Sequence, residues 1–482
     1  MYLKFVLFSV VLERAMRFIP LGRFVRGFAS RRAAFEHRIA ASPFWIFPLA
    51  LLGLSDVVMR LVAHARALDA TPLPASNLPL AFVYVRDPLW RDAYAHVATL
   101  VFLAVCAQSL MLALTYMRVR ARPLAPIDLA IGGLAVVAFL ADALGARVLE
   151  STDMYSYVAN AHLGMARSYG TAITIDDPAL RAVTTLTWGT LPPSPYGPLW
   201  HVYNRAIADV ATLGDALLRL RLANVCAILA LIAGLLAARV SHAAIAIVAF
   251  NPYLYAQFVV NGHNDLLPVV ALVLGIVFVR RSIWLTVIAT IAAGLVKLPL
   301  AFVGLATFLA IRSARTRIAL GIGTLAAIVG MSLGVGGRAY VAALTFASQK
   351  ATGTATGDGV LHAVVVALAL GSLAFAFATR RRYWPAALGV PTLGAFFYPW
   401  YLLWLVPLAF ARRDAVAPIV VGFPVVGLLL SDVFFTTRLE GIIAYAILAV
   451  ATVVIFESEA SATNALASDD GMQEIRRAEL LA

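Results

Sequence analysis

Four groups of polar and aromatic side chains interrupt a chain that is otherwise apolar. In the first, Thr152-Asp153-Met154-Tyr155-Ser156-Tyr157, a carboxylate stands among aromatic rings. On a helix starting there, Asp153, Tyr157 and Asn160 share one face at i, i+4 and i+7. A carboxylate held at a membrane surface beside such rings is expected to have a raised pKa, which suits it to taking a proton from a hydroxyl. The same segment also suits a plain helix start, with Thr152 or Asp153 as the N-cap. The second group, Pro192-Pro193-Ser194-Pro195-Tyr196-Gly197-Pro198-Leu199-Trp200, is a loop whose path the prolines fix. Its Tyr and Trp suit stacking on a sugar or anchoring at the membrane interface.

The third group is the turn Asn261-Gly262-His263-Asn264-Asp265. A histidine such as His263 can bind phosphate when protonated, while Asn264 and Asp265 can bind hydroxyls or cap the next helix. The fourth is Lys297 with Pro299, at the predicted outer end of an apolar segment. Its ammonium either attracts a lipid-linked phosphate or snorkels to the interface. Arg338 and Lys350 are further phosphate candidates. The aromatic turn from Tyr398 to Trp404, with Trp400 and Tyr401 as its candidate contacts, serves as an interfacial belt or lines a pocket for an isoprenoid chain. The Thr/Gly run at 352–359 mimics a phosphate loop but lacks the lysine, strand and helix of one, and reads as a flexible loop.

The elements that position these groups must live in lipid. Of 482 residues, 62% are hydrophobic and 13% charged, with mean hydropathy +0.88, against about 25% charged in a soluble domain. At roughly 20 apolar residues per crossing, the length predicts an all-α polytopic bundle of about 12–14 spans. The net charge of +13 does not point to nucleic acid, because the basic residues sit in short connections between apolar runs. With the amino terminus inside, Arg118/Arg120/Arg122, Arg280/Arg281, Arg312/Arg315/Arg317, Arg380–Arg382 and Arg412/Arg413 all fall on the cytoplasmic side. The four polar groups fall on the other. Cys106 and Cys226, both within apolar runs, offer neither a disulfide framework nor a metal-binding spacing.

Residues 1–42, with eight Lys/Arg against two Glu, read as a basic cytoplasmic interfacial segment. Glu13, Arg14 and Arg17 interrupt its apolar stretch, so no cleavable signal is expected. Spans are expected at 43–63, 95–117, 127–148, 222–238, 243–260, 266–279, 318–335, 361–378, 384–397, 400–410, 416–430 and 442–456. The runs 283–296 and 298–311 are short, and read as two tight helices or a re-entrant hairpin. Residues 43–456 thus read as one transmembrane domain, carrying the candidate catalytic groups, with a long outer loop at 149–220, and 457–482 read as an acidic, mobile cytoplasmic tail. No internal repeat is evident, which argues against many transporter folds.

Taken in order, the Thr-Asp-Met-Tyr-Ser-Tyr, Ser-Pro-Tyr-Gly-Pro-Leu-Trp, Asn-Gly-His-Asn-Asp, Val-Lys-Leu-Pro and Pro-Trp-Tyr-Leu-Leu-Trp segments resemble the polyprenyl-phosphate-mannose-dependent mannosyltransferases of bacterial envelopes, in the glycosyltransferase C superfamily. The resemblance extends from Ala130 to Phe410. It implies inverting transfer of a sugar, mannose in that family, from a polyprenyl-phosphate carrier to an acceptor hydroxyl of an envelope glycolipid or glycan. The active site would lie on the extracytoplasmic face of the plasma membrane, with no nucleotide sugar, cofactor or metal. The family's catalytic carboxylate falls on Asp153, the general base. His263 would orient substrate or bind phosphate, and Lys297 would stabilise the departing phosphate. Tyr155, Tyr157, Tyr196, Asn264, Asp265, Trp400 and Tyr401 would contact substrate. The chain departs from the family in its basic amino-terminal segment and in an additional pair of spans before Asp153. Two other readings stay open: a transporter or lipid flippase using Asp142, Lys297 and Asp432 as buried charges along a path, and an oligosaccharide ligase, which would need paired basic residues on long outer loops.

Overall fold

The computed structural model describes residues 37–67, 89–146, 153–170, 191–279, 282–308 and 313–351, with single positions elsewhere, among them 403–404, 406–407 and 410. Trp400, Tyr401, Asp432, residues 1–36, the run 352–359 and the tail 457–482 lie outside the described residues. Every regular element among the described residues is helical. They are α1 (Ile46–Ala67), α2 (Leu89–Ala121), α3 (Pro126–Gly145), α4 (Asp153–Ser168), α5 (Pro198–Ala208), α6 (Leu213–Ala237), α7 (His242–Ala249), α8 (Pro252–Leu254 running into a π-helical turn, Tyr255–Val260), α9 (Leu266–Val277), α10 (Ile283–Val296), α11 (Leu298–Thr307) and α12 (Ala314–Ala351).

Local chemistry starts most of these helices. The Thr212 side chain accepts from the Asp215 amide at the head of α6, Ser241 from Ala244 at α7 and Ser282 from Trp284 at α10. Each thereby satisfies a donor that the first turn leaves without an intrahelical partner. Prolines stand in the first turn of α3, α5, α8 and α11, where a missing N–H costs nothing.

Around an apolar core, the exterior is apolar too and several polar side chains are buried. Leu134 on α3 is 70% exposed, Ile288 on α10 62% and Ile322 on α12 66%, whereas Asn251, Asn261, His263 and Asp265 are wholly buried. Apolar side chains outside and polar ones within are stable when the surrounding solvent is hydrocarbon. The protein is a polytopic helical membrane bundle. Among the described residues α3, α6 and α12 are long and apolar enough to cross a membrane, and α7 with α8 makes a fourth if the pair, bent by 43°, is one span.

Two expectations change in detail, and an open alternative is decided. The single run expected at 243–260 is broken after Phe250, where Asn251 accepts from the Tyr253 amide and Pro252 starts a new helix. The runs 283–296 and 298–311 form two helices packed on each other, α10 and α11, joined by the single extended residue Lys297 (φ −149°, ψ 110°). Beyond 335 the chain stays helical to Ala351, with a break at Gly337, so Arg338 and Lys350 are helix rather than loop residues.

The core of the bundle is contributed by α1–α3 and α6–α11. Against one end of it lies a second core built from α4, α5, the start of α6 and Val296 at the end of α10. The described residues of the predicted outer loop, 153–170 and 191–220, therefore belong to a folded layer. Its helix α5 rests on α6 and α10, and the polar groups meet where that layer joins the bundle.

Candidate active site

Asp153 opens α4, and its carboxylate is met from two directions. Tyr157, one turn along the same helix, has its hydroxyl 3.4 Å from Asp153 Oδ2. His263, from the turn between α8 and α9, brings Nδ1 to 3.2 Å from the same oxygen. An ionised carboxylate only accepts, so Nδ1 carries the proton in this contact. The His263 side chain is fully buried while that of Asp153 is 29% exposed, so a substrate reaches the pair through the carboxylate.

Burial by itself would raise the pKa of Asp153. The hydrogen bond and charge of His263, the Lys297 ammonium and the Tyr157 hydroxyl outweigh it and hold the carboxyl below its ordinary 3.8. This corrects the raised pKa expected from the neighbouring rings: a histidine 110 residues away and a lysine from α10 decide the sign. Asp153 is ionised at neutral pH. Tyr157 moves the other way, pushed well up by burial and then by Tyr196 and the two nearby carboxylates, and stays a protonated donor.

A second charged pair lies alongside. Lys297 Nζ is 2.7 Å from Asp265 Oδ1, and the Trp404 indole N–H donates to that same oxygen at 2.7 Å. The ammonium lies 5.1 Å from the centre of the Trp404 ring and 5.7 Å from that of Tyr196, within cation–π range. Tyr196 links the two halves, since its hydroxyl is 3.4 Å from that of Tyr157. The Asn264 amide N–H points at the Tyr157 hydroxyl from 3.5 Å. Asn264 Oδ1 and Nδ2 and Asp265 Oδ2 are buried with no hydrogen-bond partner among the described residues.

Backbone contacts fix these distances. The Gly197 N–H donates to the Val296 carbonyl at 2.9 Å, and a Cβ at Gly197 would overlap the Leu295 carbonyl, so the Ser-Pro-Tyr-Gly loop seats directly on the end of α10. Tyr169 donates to the Tyr196 carbonyl at 3.0 Å, and the Tyr157 and Trp200 rings pack edge to face at 4.9 Å. In the His263 turn, Gly262 adopts φ +65° and lies against Met154, a backbone conformation that disfavours side chains.

Asp153, Tyr157, Tyr196, His263, Asn264, Asp265 and Lys297 therefore come together, although they arise from four separate stretches. Tyr155 does not join them. It lies wholly buried on the other side of α4, where burial pushes its phenol up to about 12 and the nearest charge felt is that of Arg221. Arg338 is exposed on α12. Of the charges named for a transporter path, Asp142 is exposed near the end of α3, Lys297 is paired with Asp265 and Asp432 lies outside the described residues. Two residues escaped the sequence reading. Asn204 donates to the Tyr157 carbonyl at 2.7 Å, and Trp404 was part of the aromatic turn but was passed over for Trp400 and Tyr401. A wholly buried Asn on the amphipathic α5 and a Trp four residues beyond another Trp were the available signals.

No curated protein and no solved structure matches the chain. The profile of one family, described as alpha-(1->6)-mannopyranosyltransferase, N-terminal domain, matches residues 57–314, more than half of its length.

Proposed function

Because the chain belongs to the alpha-(1->6)-mannopyranosyltransferase family, we propose that it transfers mannose from a polyprenyl-phosphate carrier to an envelope glycolipid or glycan at the extracytoplasmic face of the plasma membrane. The alpha-(1->6) linkage in the family's description supports a primary hydroxyl, the O6 of a hexose, as the acceptor. The observation that carries this reading is the Asp153–His263 contact, an ionised and partly exposed carboxylate backed by a sealed imidazole.

In the proposed reaction Asp153 takes the proton of the acceptor hydroxyl as its oxygen attacks the anomeric carbon. The bond from that carbon to the phosphate oxygen breaks, and its electron pair leaves with the polyprenyl phosphate. Attack opposite the leaving group inverts the anomeric centre, so an alpha product requires a beta-linked donor. His263 orients Asp153 and stabilises its charge, and the Tyr157 hydroxyl keeps the carboxylate rotamer. Separations of 3.2–3.4 Å are loose for these bonds and tighten once substrate is bound. Lys297, next to the Tyr196 ring, offers the departing phosphate a cation. The unsatisfied atoms of Asn264 and Asp265 have the right chemistry for sugar hydroxyls, which supports a mannose-binding role for the turn. The donor's lipid chain would approach laterally from the bilayer.

The test is mannose transfer from radiolabelled polyprenyl-phosphate-mannose in membranes carrying matched amounts of wild type or Asp153→Asn. Loss of a general base lowers the rate by about 10²–10⁴-fold, so we expect near-complete loss of transfer. Wild-type activity in Asp153→Asn would overturn the assignment of the base. No mannose transfer by either protein would overturn the donor.

A further inference from the structure

Asp153 and His263 are brought into contact by two chain segments that reach the site separately, and both are held by one face of α6. Arg221 Nη1 donates to the carbonyls of Ala146 at 2.7 Å and Leu144 at 3.3 Å, at the end of α3, the helix that precedes Asp153 in the chain. Its Nη2 donates to the Val260 carbonyl at 2.9 Å, at the end of the π-helical turn just ahead of His263. One turn further along α6, Asn224 Nδ2 donates to the Phe258 carbonyl at 2.6 Å and lies 3.5 Å from the carbonyl of His263 itself. We propose that Arg221 and Asn224 are positioning residues that set the Asp153–His263 separation, acting on the transition state through the two backbones rather than by touching substrate.

The physical case rests on what these groups bind. The carbonyls of Leu144, Ala146, Phe258 and Val260 stand at the ends of helices, where intrahelical donors run out and the negative end of the helix dipole lies, and that of His263 stands in the turn beyond. A guanidinium presents its donors in a rigid fork, so three carbonyls on one fork fix two helix ends relative to each other. A π-helical turn changes the register of the last carbonyls, and Asn224 and Arg221 answer those of Phe258 and Val260. The support belongs to a membrane-crossing helix capped at Thr212, which is a rigid base for a site. A general base must be held within about 0.5 Å of its productive place, and a displacement of about 1 Å costs about 10²-fold in rate.

The inference rests on Asp153 being the base, and its test separates the two ideas. In the full-length protein, Arg221→Met is expected to lower kcat for mannose transfer about a hundredfold while KM for polyprenyl-phosphate-mannose changes by less than about threefold. Asn224→Leu is expected to lower kcat about tenfold, and Arg221→Lys to recover part of the loss. Added to Asp153→Asn, Arg221→Met should cause no further fall, because there is no base left to misplace. A change in KM alone, or the same fall in the Asp153→Asn protein, would overturn the proposal.

A geometric readout needs no activity. In a chain with Asp153→Cys, His263→Cys, Cys106→Ala and Cys226→Ala, the rate of bridging by a short bis-methanethiosulfonate should drop about tenfold on adding Arg221→Met or Asn224→Leu. An unchanged rate refutes the positioning role, whatever the fate of the base. Full transfer by Asp153→Asn refutes the base and leaves the bridging result standing. Should Arg221→Met fail to fold, Asn224→Leu, which removes only the weaker half of the hold, decides both readouts.

Discussion

At the scale of the residue, the least replaceable group is Asp265, whose side chain is fully buried beside a Lys297 side chain only 12% exposed. Removing one partner of such a pair leaves the other charge stranded, at a cost of about 3–5 kcal/mol. Lys297→Met should therefore lower the thermal midpoint of the detergent-solubilised protein strongly, and Lys297→Met with Asp265→Leu should recover most of it without restoring transfer. A double variant as unstable as the single one would show that the pair is not what Lys297 contributes to the fold. The pair also shows what a sequence reveals at this scale. Asp153, His263, Asp265 and Lys297 were legible because polar groups are costly in an apolar chain and are kept for a purpose. Their pairing was not, since nothing in the spacing joins Lys297 to Asp265 or tells that His263 sets the pKa of Asp153. Arg221 and Asn224 carry no such signal, since polar residues at the start of the apolar run expected at 222–238 look no different from the edge of a span.

At the scale of the element, the loop carrying Tyr196 owes its position to one missing side chain. Gly197→Ala would drive a methyl group into the Leu295 carbonyl, and backbone on both sides leaves little to yield. Overpacking of this kind costs about 1–3 kcal/mol. We expect a measurable fall in thermal stability and a larger fall in transfer, because Tyr196 and Lys297 flank the contact. Full activity in Gly197→Ala would mean that the loop's seat on α10 does not matter for catalysis. Hydropathy located α3, α6, α9 and α10, since apolar length is a property of each run alone. It missed the break at Asn251, which depends on an Asx cap, and the continuation of α12 through Gly337, since glycine-rich sequence reads as loop. The layer of α4 and α5 was invisible as a layer: its buried rings face partners that only the fold supplies.

At the scale of the whole molecule, the rows of arginines and the site must lie on opposite sides of the membrane if the proposed orientation is right. In a chain with Cys106→Ala and Cys226→Ala, Arg205→Cys on α5 should react with a membrane-impermeant maleimide added to intact cells. Arg239→Cys should react only after permeabilisation. The opposite pattern would move the site to the cytoplasmic face. Charge and span counting give an expected sidedness, because insertion responds to both, whereas nothing in the sequence foretells the closing of the site by distant segments. Trp404 illustrates the point, since it reaches Asp265 across 139 residues and lies beyond the stretch that matches the family. During synthesis, at about 5–20 residues per second, that separation amounts to roughly 7–28 seconds. Lys297 follows Asp265 by 32 residues, so over the remaining 107, roughly 5–21 seconds, the nascent chain has Lys297 but not yet the indole N–H to meet its buried carboxylate, and a ribosome stalled after α12 would leave Asp265 paired with Lys297 and short of its second donor.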